Sequence, residues 1–137
     1  MNTAQNNKQL IETVFAALAE GDRQPFANAM ADEFSWTISG HGPWARTWRG
    51  KEAVRRGLMA PLFGQFADTY RNRALRIVAE GDIVVVECRG SVATKSGVRY
   101  DNHYTYWIGL REGSMVSLTE FMDTALAERV LVAPEDD

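Results

Sequence analysis

Apolar residues recur at helical spacing over the first twenty positions of the chain. Residues 4–20 carry one apolar face, formed by Leu10, Ile11, Val14, Phe15 and Leu18. This spacing predicts an amphipathic helix that Thr3 caps and Gly21 ends. Asp22 then predicts the start of a short second helix, because Pro25 would fall in its first turn.

The pattern changes to strict alternation in the segment FSWTIS. Its apolar positions share one face of a half-buried strand: Phe34, Trp36 and Ile38. Residues 40–50, GHGPWARTWRG, contain glycines and a proline that indicate a loop. Residues 51–66 return to helical spacing, and we expect Pro61 to end or kink this third helix.

The second half of the chain has the period of two that is typical of strands. Four strands joined by short glycine turns are predicted, over residues 70–79, 83–94, 99–111 and 115–123. Residues 125–132 are expected to form a last helix or a strand extension. Helices followed by an antiparallel meander predict an α+β domain.

Alternation also predicts which side chains face the interior. In the strand 99–111 the even positions are aromatic, amide or aliphatic and should face inward: Tyr100, Asn102, Tyr104, Tyr106, Ile108 and Leu110. The odd positions, including Asp101, His103 and Trp107, should face outward. Asn102 is therefore separated from its two polar neighbours. In the strand 115–123 both alternating sets mix apolar and polar residues, so periodicity does not choose between them.

Composition and charge exclude several classes of function. The 137 residues are 45% apolar and 24% charged, which is typical of one globular domain. The net charge of −3 argues against a nucleic-acid partner. No apolar run approaches the roughly 18 residues of a membrane span, and no signal peptide is recognisable. We therefore expect a cytoplasmic protein with no membrane partner.

The few cysteine and histidine residues limit which disulfides and metal sites the chain can form. Cys88 is the single cysteine, so no internal disulfide forms and no cysteine-based metal site is expected. The two histidines do not have the spacing of a zinc site. We expect neither a metal ion nor another cofactor.

Three stretches resemble the nuclear-transport-factor-2-like superfamily, specifically its SnoaL-like branch. They are WTISGHGPWARTWRGKEAV, YDNHYTYWIGLREGSM and TEFMD, and the resemblance covers residues 8–126. It implies one SnoaL-like domain over residues 1–137, with a flexible acidic tail at 133–137. The implied fold is a cone-shaped barrel, in which a curved, mainly antiparallel sheet wraps around the N-terminal helices. Its apolar interior would hold a small molecule, and its outer sheet face would form a homodimer.

The resemblance also implies catalytic candidates. Asp123 matches the closing aspartate of the family and would act as a general acid or base at the pocket mouth; the alternative is a capping residue. Asn102 would orient a substrate carbonyl, or else serve as a buried amide between strands. His41 is either a base near the mouth or a surface loop residue.

Candidates for substrate binding are mostly aromatic. They are Trp36, Trp44, Trp48, Tyr100, Tyr104 and Glu120. The tryptophans would wall an apolar site, Trp44 and Trp48 as a lid, and the tyrosines would donate hydrogen bonds; the alternative for each is core packing. Glu120 is either a pocket carboxylate or an outward surface partner.

Departures from related enzymes narrow the chemistry. Ketosteroid isomerases place an aspartate after the first strand, where this chain has His41 in SGHGPW. Limonene-epoxide hydrolases carry an Arg-x-Asp pair where this chain has Cys88 and Gly90. The resemblance thus favours a cofactor-independent isomerase or polyketide-cyclase-like enzyme that transfers a proton next to a carbonyl. The alternatives are non-catalytic binding of a small apolar ligand, or a dimeric assembly unit with its interface at Asp101, His103 and Trp107.

Overall fold

The computed structural model describes residues 2–135 and opens with two helices. Helix α1 (Thr3–Ala19) is capped by Asn2, one residue before the predicted Thr3, because the Asn2 side chain accepts a hydrogen bond from the Gln5 N–H at 2.8 Å. The chain leaves α1 at Gly21, which has a φ of +85°. Helix α2 (Gln24–Ala29) follows after Asp22, whose carboxylate accepts from the Gln24 N–H.

Six strands form one curved, unclosed sheet, and a last helix follows. The elements are β1 (Met30–Ile38), β2 (Thr47–Arg49), β3 (Arg71–Glu80), β4 (Ile83–Ser91), β5 (His103–Arg111), β6 (Ser114–Met122) and α5 (Thr124–Val130). The strand order is β2-β1-β6-β5-β4-β3, in which β1 and β6 are parallel and the other pairs antiparallel. The predicted α+β class and mainly antiparallel sheet are confirmed. Strand β2 lies in the segment predicted as a loop.

The third helical segment continues past Pro61. It comprises α3 (Lys51–Ala53), a π-helical segment (Val54–Met59) and α4 (Ala60–Phe63). Helical backbone continues through Pro61, which lies in the first turn of α4, to Phe63. Of the two predicted effects, a helix end at Pro61 is therefore wrong and a kink stays a prediction. Met59, the last residue of the π-helical segment, packs against the core.

The predicted faces of β5 are confirmed. The even positions of the segment 100–110 are buried, whereas Asp101, His103 and Trp107 are exposed. Helix α1 covers the concave side of the sheet against β3 and β4, and its buried face includes Ile11 and Phe15.

A bulge settles the orientation of β6. Gly109 pairs with Ser117, but the next residue of β5, Leu110, pairs with Met115. One residue of β6 is thus inserted, and alternation breaks there. Met115 is buried before the bulge and Glu120 after it, although they differ in parity. No single alternating pattern over residues 115–123 therefore describes which of their side chains are buried.

The chain after α5 is held by two long polar side chains. The Gln65 amide donates to the Val132 carbonyl and accepts from the Val132 N–H, both at 2.8 Å. Arg46 donates to the carbonyl of Pro134 at 3.1 Å. Residues 136–137 lie outside the described part, so the predicted flexibility of 133–137 stays a prediction. Among residues 2–135, no helix has the length and apolar composition to cross a membrane.

Candidate functional site

An aromatic cavity lies between the concave side of the sheet and the helical segment 51–63. Its volume is about 60 Å³, and we call it the acid cavity. Its lining is Trp36, Ile38, Trp44, Leu58, Met59, Leu62, Phe63, Tyr70, Tyr100, Tyr104, Tyr106, Glu120 and Met122. Glu120 is the single carboxylic acid in this lining, and no basic side chain accompanies it.

Glu120 is placed by the centre of the sheet. Strand β6 lies between β1 and β5, where Glu120 is in register with Ile38 and Tyr106. Its side chain is 5% exposed, and its Oε1 accepts a hydrogen bond from Trp36 Nε1 at 2.8 Å. The alternative of an outward surface partner was wrong, because the bulge in β6 turns this position inward.

Burial makes Glu120 a titratable group at neutral pH. Desolvation raises the pKa of its carboxyl from 4.5 to about 7, and the hydrogen bond from Trp36 acts against this rise. The acid is therefore divided between its protonated and ionised forms near pH 7. This is the range in which a carboxyl both accepts and returns a proton efficiently.

Four tyrosines supply hydroxyl groups around the same space. The Tyr70 hydroxyl donates to that of Tyr104 at 3.4 Å, and the Tyr100 hydroxyl donates to Met122 Sδ at 3.6 Å. Burial raises the pKa of Tyr100 to about 12 and raises the pKa values of Tyr70, Tyr104 and Tyr106 as well. These phenols remain neutral at physiological pH and serve as hydrogen-bond donors.

Trp44 brings an unpaired donor to the acid cavity. It is 2% exposed, and its indole Nε1 is buried without a hydrogen-bond partner among the described residues. Its loop packs closely against α5, since a side chain at Gly42 would collide with Glu128. A buried, unpaired N–H of a residue that lines the cavity can donate to an oxygen atom of a ligand.

A second cavity of about 40 Å³ adjoins the first, and we call it the amide cavity. It is lined by Leu18, Arg23, Phe26, Trp36, Met59, Phe63, Tyr70, Asn72 and Tyr106, five of which also line the acid cavity. Asn72 is 2% exposed, and its Nδ2 donates to the Tyr106 hydroxyl at 3.4 Å. Its Oδ1 has no partner among the described residues.

Asp123 does not face the cavity. It is exposed, and its carboxylate caps α5 by accepting from the Leu126 N–H at 3.2 Å. It is not among the residues that line the acid cavity, and β6 ends at Met122, where the chain turns into the helix. Its predicted role as an acid or base at the pocket mouth stays a prediction that this position does not favour. The geometry of Asp123 is that of the alternative prediction, a residue that caps a helix.

Asn102 is buried, but its amide is used by the protein itself. Its Nδ2 donates to the Tyr100 hydroxyl at 2.9 Å and to the Asp123 carbonyl at 3.2 Å. Its Oδ1 accepts from the N–H groups of His103 and Asp123. Asn102 thus ties the start of β5 to the end of β6, and it is not among the residues lining either cavity.

The remaining predicted residues divide between the cavity and its surroundings. Trp36, Trp44, Tyr100 and Tyr104 line the acid cavity. Trp48 is buried in β2 behind it, packed so closely on Gly57 that a side chain there would meet its indole. His41 is exposed in its loop. The catalytic role proposed for His41 stays a prediction that this position does not favour.

Sequence reasoning missed Tyr70 and Asn72 as site residues. Tyr70 directly precedes β3, and Asn72 lies in β3, buried between positions 71 and 73, which are exposed. The alternation that was used for β5 would have found them. Met59 and Phe63 carry no such signal, since their contact with the cavity depends on how the helical segment packs on the sheet.

A sequence model of the SnoaL-like domain matches residues 11–118. The chain belongs to this family. No curated protein matches the sequence. The matched SnoaL-like region runs from α1 into β6 and contains the aromatic walls of both cavities, while Glu120 lies two residues beyond its end.

Solved structures show the same fold at low sequence identity. Bal32a, from a soil-derived mobile gene cassette, superposes with a TM-score of 0.81 at 20% identity, covering 96% of this chain and 100% of its own. A protein from Jannaschia sp. CCS1, provisionally assigned as a SnoaL-like polyketide cyclase, has a TM-score of 0.76 at 19% identity over 98% of each chain. A Bacillus subtilis protein provisionally assigned as an isomerase has a TM-score of 0.76 at 15% identity, covering 95% of each chain.

Proposed function

We propose that this SnoaL-like protein is a cofactor-independent enzyme that transfers a proton next to the carbonyl group of a small apolar compound. The observation that carries the proposal is the position of Glu120. It is a carboxyl with a pKa of about 7 in the wall of an aromatic cavity that contains no other acid and no base. Such a pKa suits a group that must accept a proton and return it at neutral pH.

The proton transfer follows from the hydrogen bonds around Glu120. Trp36 holds Oε1, and no residue from 2 to 135 donates a hydrogen bond to Oε2. This second oxygen removes a proton from the carbon next to the carbonyl. The C–H electron pair forms the C=C bond of the enolate, and the carbonyl π electron pair moves to the oxygen. Protonated Glu120 then returns the proton to the same carbon or, in an isomerisation, to a different one.

Trp44 is the group best suited to stabilise the enolate oxygen. Its N–H is buried and unpaired, so it donates without first breaking another bond. Tyr100 is a second donor, because its hydroxyl is held by a weak contact to sulfur. The names of the two similar structures, a cyclase and an isomerase, support this class of chemistry without selecting a substrate.

The test is exchange of carbonyl-adjacent protons for deuterium. Acetone, a ketone small enough for a cavity of about 60 Å³, is incubated with the protein in D₂O, and loss of its proton signal is followed by NMR. Glu120→Gln keeps the shape and removes the base, so we expect exchange to fall by about 100-fold or more. Glu12→Gln, on the exposed side of α1, is the matched control and should exchange at the wild-type rate. Wild-type exchange in Glu120→Gln would refute the proposal.

We also propose that the protein forms a homodimer through the outer sheet face. Trp107 is 50% exposed and Phe121 46% exposed on neighbouring strands. A groove of about 400 Å³ runs beside Trp107, with an apolar lining that includes Val78 and Ile83. Exposed aromatic residues on a contiguous face are typical of protein interfaces.

The polar residues of the same face are mostly paired within the chain. His103 lies 2.8 Å from Glu87, and Arg99 pairs with Asp101 at 2.8 Å. The apolar residues therefore supply most of the proposed contact. Sedimentation velocity should show a dimer that Trp107→Lys dissociates, whereas Val132→Lys, at an exposed apolar residue after α5, should leave it intact. A wild-type monomer at micromolar concentration would contradict the dimer.

A further inference from the structure

The walls of the acid cavity are mostly aromatic, since seven of its lining residues carry rings. The ring centres of Trp36 and Tyr106 are 5.8 Å apart and those of Tyr104 and Tyr106 are 5.4 Å apart, so these three rings are neighbours in the wall. Phe63 of α4 and Tyr70 form another pair, at 5.6 Å. The face of an aromatic ring carries partial negative charge, and several rings around one space attract a cation.

Glu120 adds a carboxyl to these walls. Its register partners on the neighbouring strands are Tyr106 and Ile38, which are buried as well. Trp36 Nε1 donates to its Oε1 at 2.8 Å. Among residues 2–135 no cationic side chain pairs with Glu120, and no lysine, arginine or histidine lines the acid cavity. A carboxylate that has lost its water is stabilised by a cation, which the described chain does not supply at this position.

The size of the acid cavity selects a very small ion. Its volume of about 60 Å³ is the share of roughly two molecules of liquid water. Methylammonium, which has one carbon and one nitrogen, is about as large as two water molecules. Its N–H groups can donate to the Glu120 carboxylate while its methyl group contacts the rings, so both kinds of wall are used.

We propose that the acid cavity binds a small alkylammonium ion, about the size of methylammonium, in an ion pair with Glu120 and against the faces of the surrounding rings. The chain already contains one such contact with a ring of this wall, because the Arg23 guanidinium carbon lies 3.8 Å from the centre of the Phe63 ring. Arg23 lines the amide cavity and not the acid cavity. Binding of this ion does not depend on the proton transfer proposed for Glu120.

The ion pair requires Glu120 to be ionised, so binding should depend on pH. Burial raises the pKa values of the other titratable groups around it, which therefore stay neutral up to pH 8: Tyr70, Tyr100, Tyr104, Tyr106 and Cys88. With a pKa of about 7, Glu120 is mostly ionised at pH 8 and only about 3% ionised at pH 5.5. An alkylammonium ion keeps its charge at both values, as a lysine side chain does. Methylammonium should therefore bind about 30-fold more tightly at pH 8 than at pH 5.5.

The experiment compares methylammonium chloride with methanol, a neutral molecule of nearly the same size. Dissociation constants are measured at pH 8 by saturation-transfer NMR on the methyl protons, with sodium chloride holding the ionic strength constant. Wild-type protein should bind methylammonium at least about tenfold more tightly than methanol. Glu120→Gln should remove this preference, because an amide carries no charge. Glu12→Gln, at an exposed acid of α1, is the matched control and should keep the preference.

Two further measurements separate the carboxyl from the rings. At pH 5.5 wild-type protein should lose affinity for methylammonium while its affinity for methanol stays nearly constant. This measurement needs no substitution, so it holds even if a variant does not fold. Phe63→Leu removes one ring and keeps an apolar side chain in the lining, and it should weaken methylammonium binding by about threefold with little effect on methanol.

Equal binding of methylammonium and methanol by wild-type protein at pH 8 would overturn the cation site, and water in the cavity would then account for its volume. A preference that persists in Glu120→Gln would also overturn it, because the ion would then bind elsewhere. The acetone exchange assay distinguishes this result from the catalytic one. If Glu120→Gln exchanges acetone normally but loses the preference for methylammonium, the catalytic proposal fails and the cation site stands. If exchange is lost in Glu120→Gln and wild-type protein has no preference, the catalytic proposal stands and the cation site fails.

Discussion

Replacing Glu120 by glutamine should stabilise the folded protein at pH 8 and leave its stability nearly unchanged at pH 4.5. The reason is that glutamine has the shape of the protonated acid and remains neutral. Its carbonyl oxygen can still accept the hydrogen bond that Trp36 donates to Glu120 Oε1. The substitution therefore removes the ionisation of a buried group and little else.

The magnitude follows from the shift of the Glu120 pKa. The folded protein keeps this proton up to about pH 7, whereas the unfolded chain releases it near pH 4.5. Between these values the unfolded state binds fewer protons, so the free energy of unfolding falls as pH rises. The shift corresponds to about 3 kcal/mol, which is incurred between pH 4.5 and about 7 and stays constant above that range.

The assay is thermal unfolding of wild-type and Glu120→Gln protein from pH 4.5 to pH 8. For a domain of this size, about 3 kcal/mol corresponds to roughly 10 °C in Tm. We expect the two melting temperatures to converge at the acidic end and the variant to melt roughly 10 °C higher at pH 8. Subtracting the two curves cancels groups that titrate in both proteins. Glu12→Gln, at an exposed acid, should follow the wild type throughout.

A difference in Tm that does not change with pH would refute this reasoning. It would mean that Glu120 either ionises normally in the folded state or is not desolvated by the cavity. Lower stability of the variant at pH 8 would be a stronger contradiction, because it would show that the carboxylate is favoured inside the protein. In either case Glu120 would lose the property on which the proposed proton transfer depends.

Three further predictions concern the surroundings of Glu120. The rate at which carbonyl-adjacent protons exchange should rise with pH through about 7, where the Glu120 carboxylate forms, and then level off. Trp36→Phe should move the midpoint of this pH–rate curve to higher pH, because the hydrogen bond that Trp36 donates lowers the Glu120 pKa. Asp123→Ala should cost about 1 kcal/mol in chemical unfolding, because the cap of α5 is lost, while Asp123→Asn retains the cap and both variants exchange normally. Gly90→Ala should lower the stability by about 1–3 kcal/mol, since its Cβ would lie 2.7 Å from the Tyr70 hydroxyl.

The strands and their faces were predictable because a half-buried sheet repeats a local pattern. Each residue of β5 alternates between the core and the outside, so the sequence alone separated Asn102 from Asp101 and His103. The same rule placed Cys88 in the core. The short strand β2 was hidden because it is three residues long and lies between glycines and a proline. Its pairing with β1 is a tertiary contact that local composition does not encode.

The helical segment before β3 shows a second reason why part of the fold could not be predicted from the sequence. Proline at position 61 is an ordinary signal for a helix end, but its effect depends on which turn it occupies. Here the helical backbone passes through the proline, which lies in the first turn of α4 after a π-helical segment. Met59, the last residue of that π-helical segment, lines both cavities. Neither feature has a distinct sequence pattern.

The choice between Glu120 and Asp123 shows how the site itself escaped prediction. The family resemblance favoured Asp123, and alternation placed the two acids on opposite faces without saying which face was inside. One inserted residue opposite Gly109 and Leu110 decided the question in favour of Glu120. Beyond it, β6 ends at Met122, so Asp123 keeps solvent and a helix N–H as its partners. The acid available for chemistry is thus selected by which carboxyl loses its water, and that depends on strand pairing across the whole sheet rather than on the residues around it.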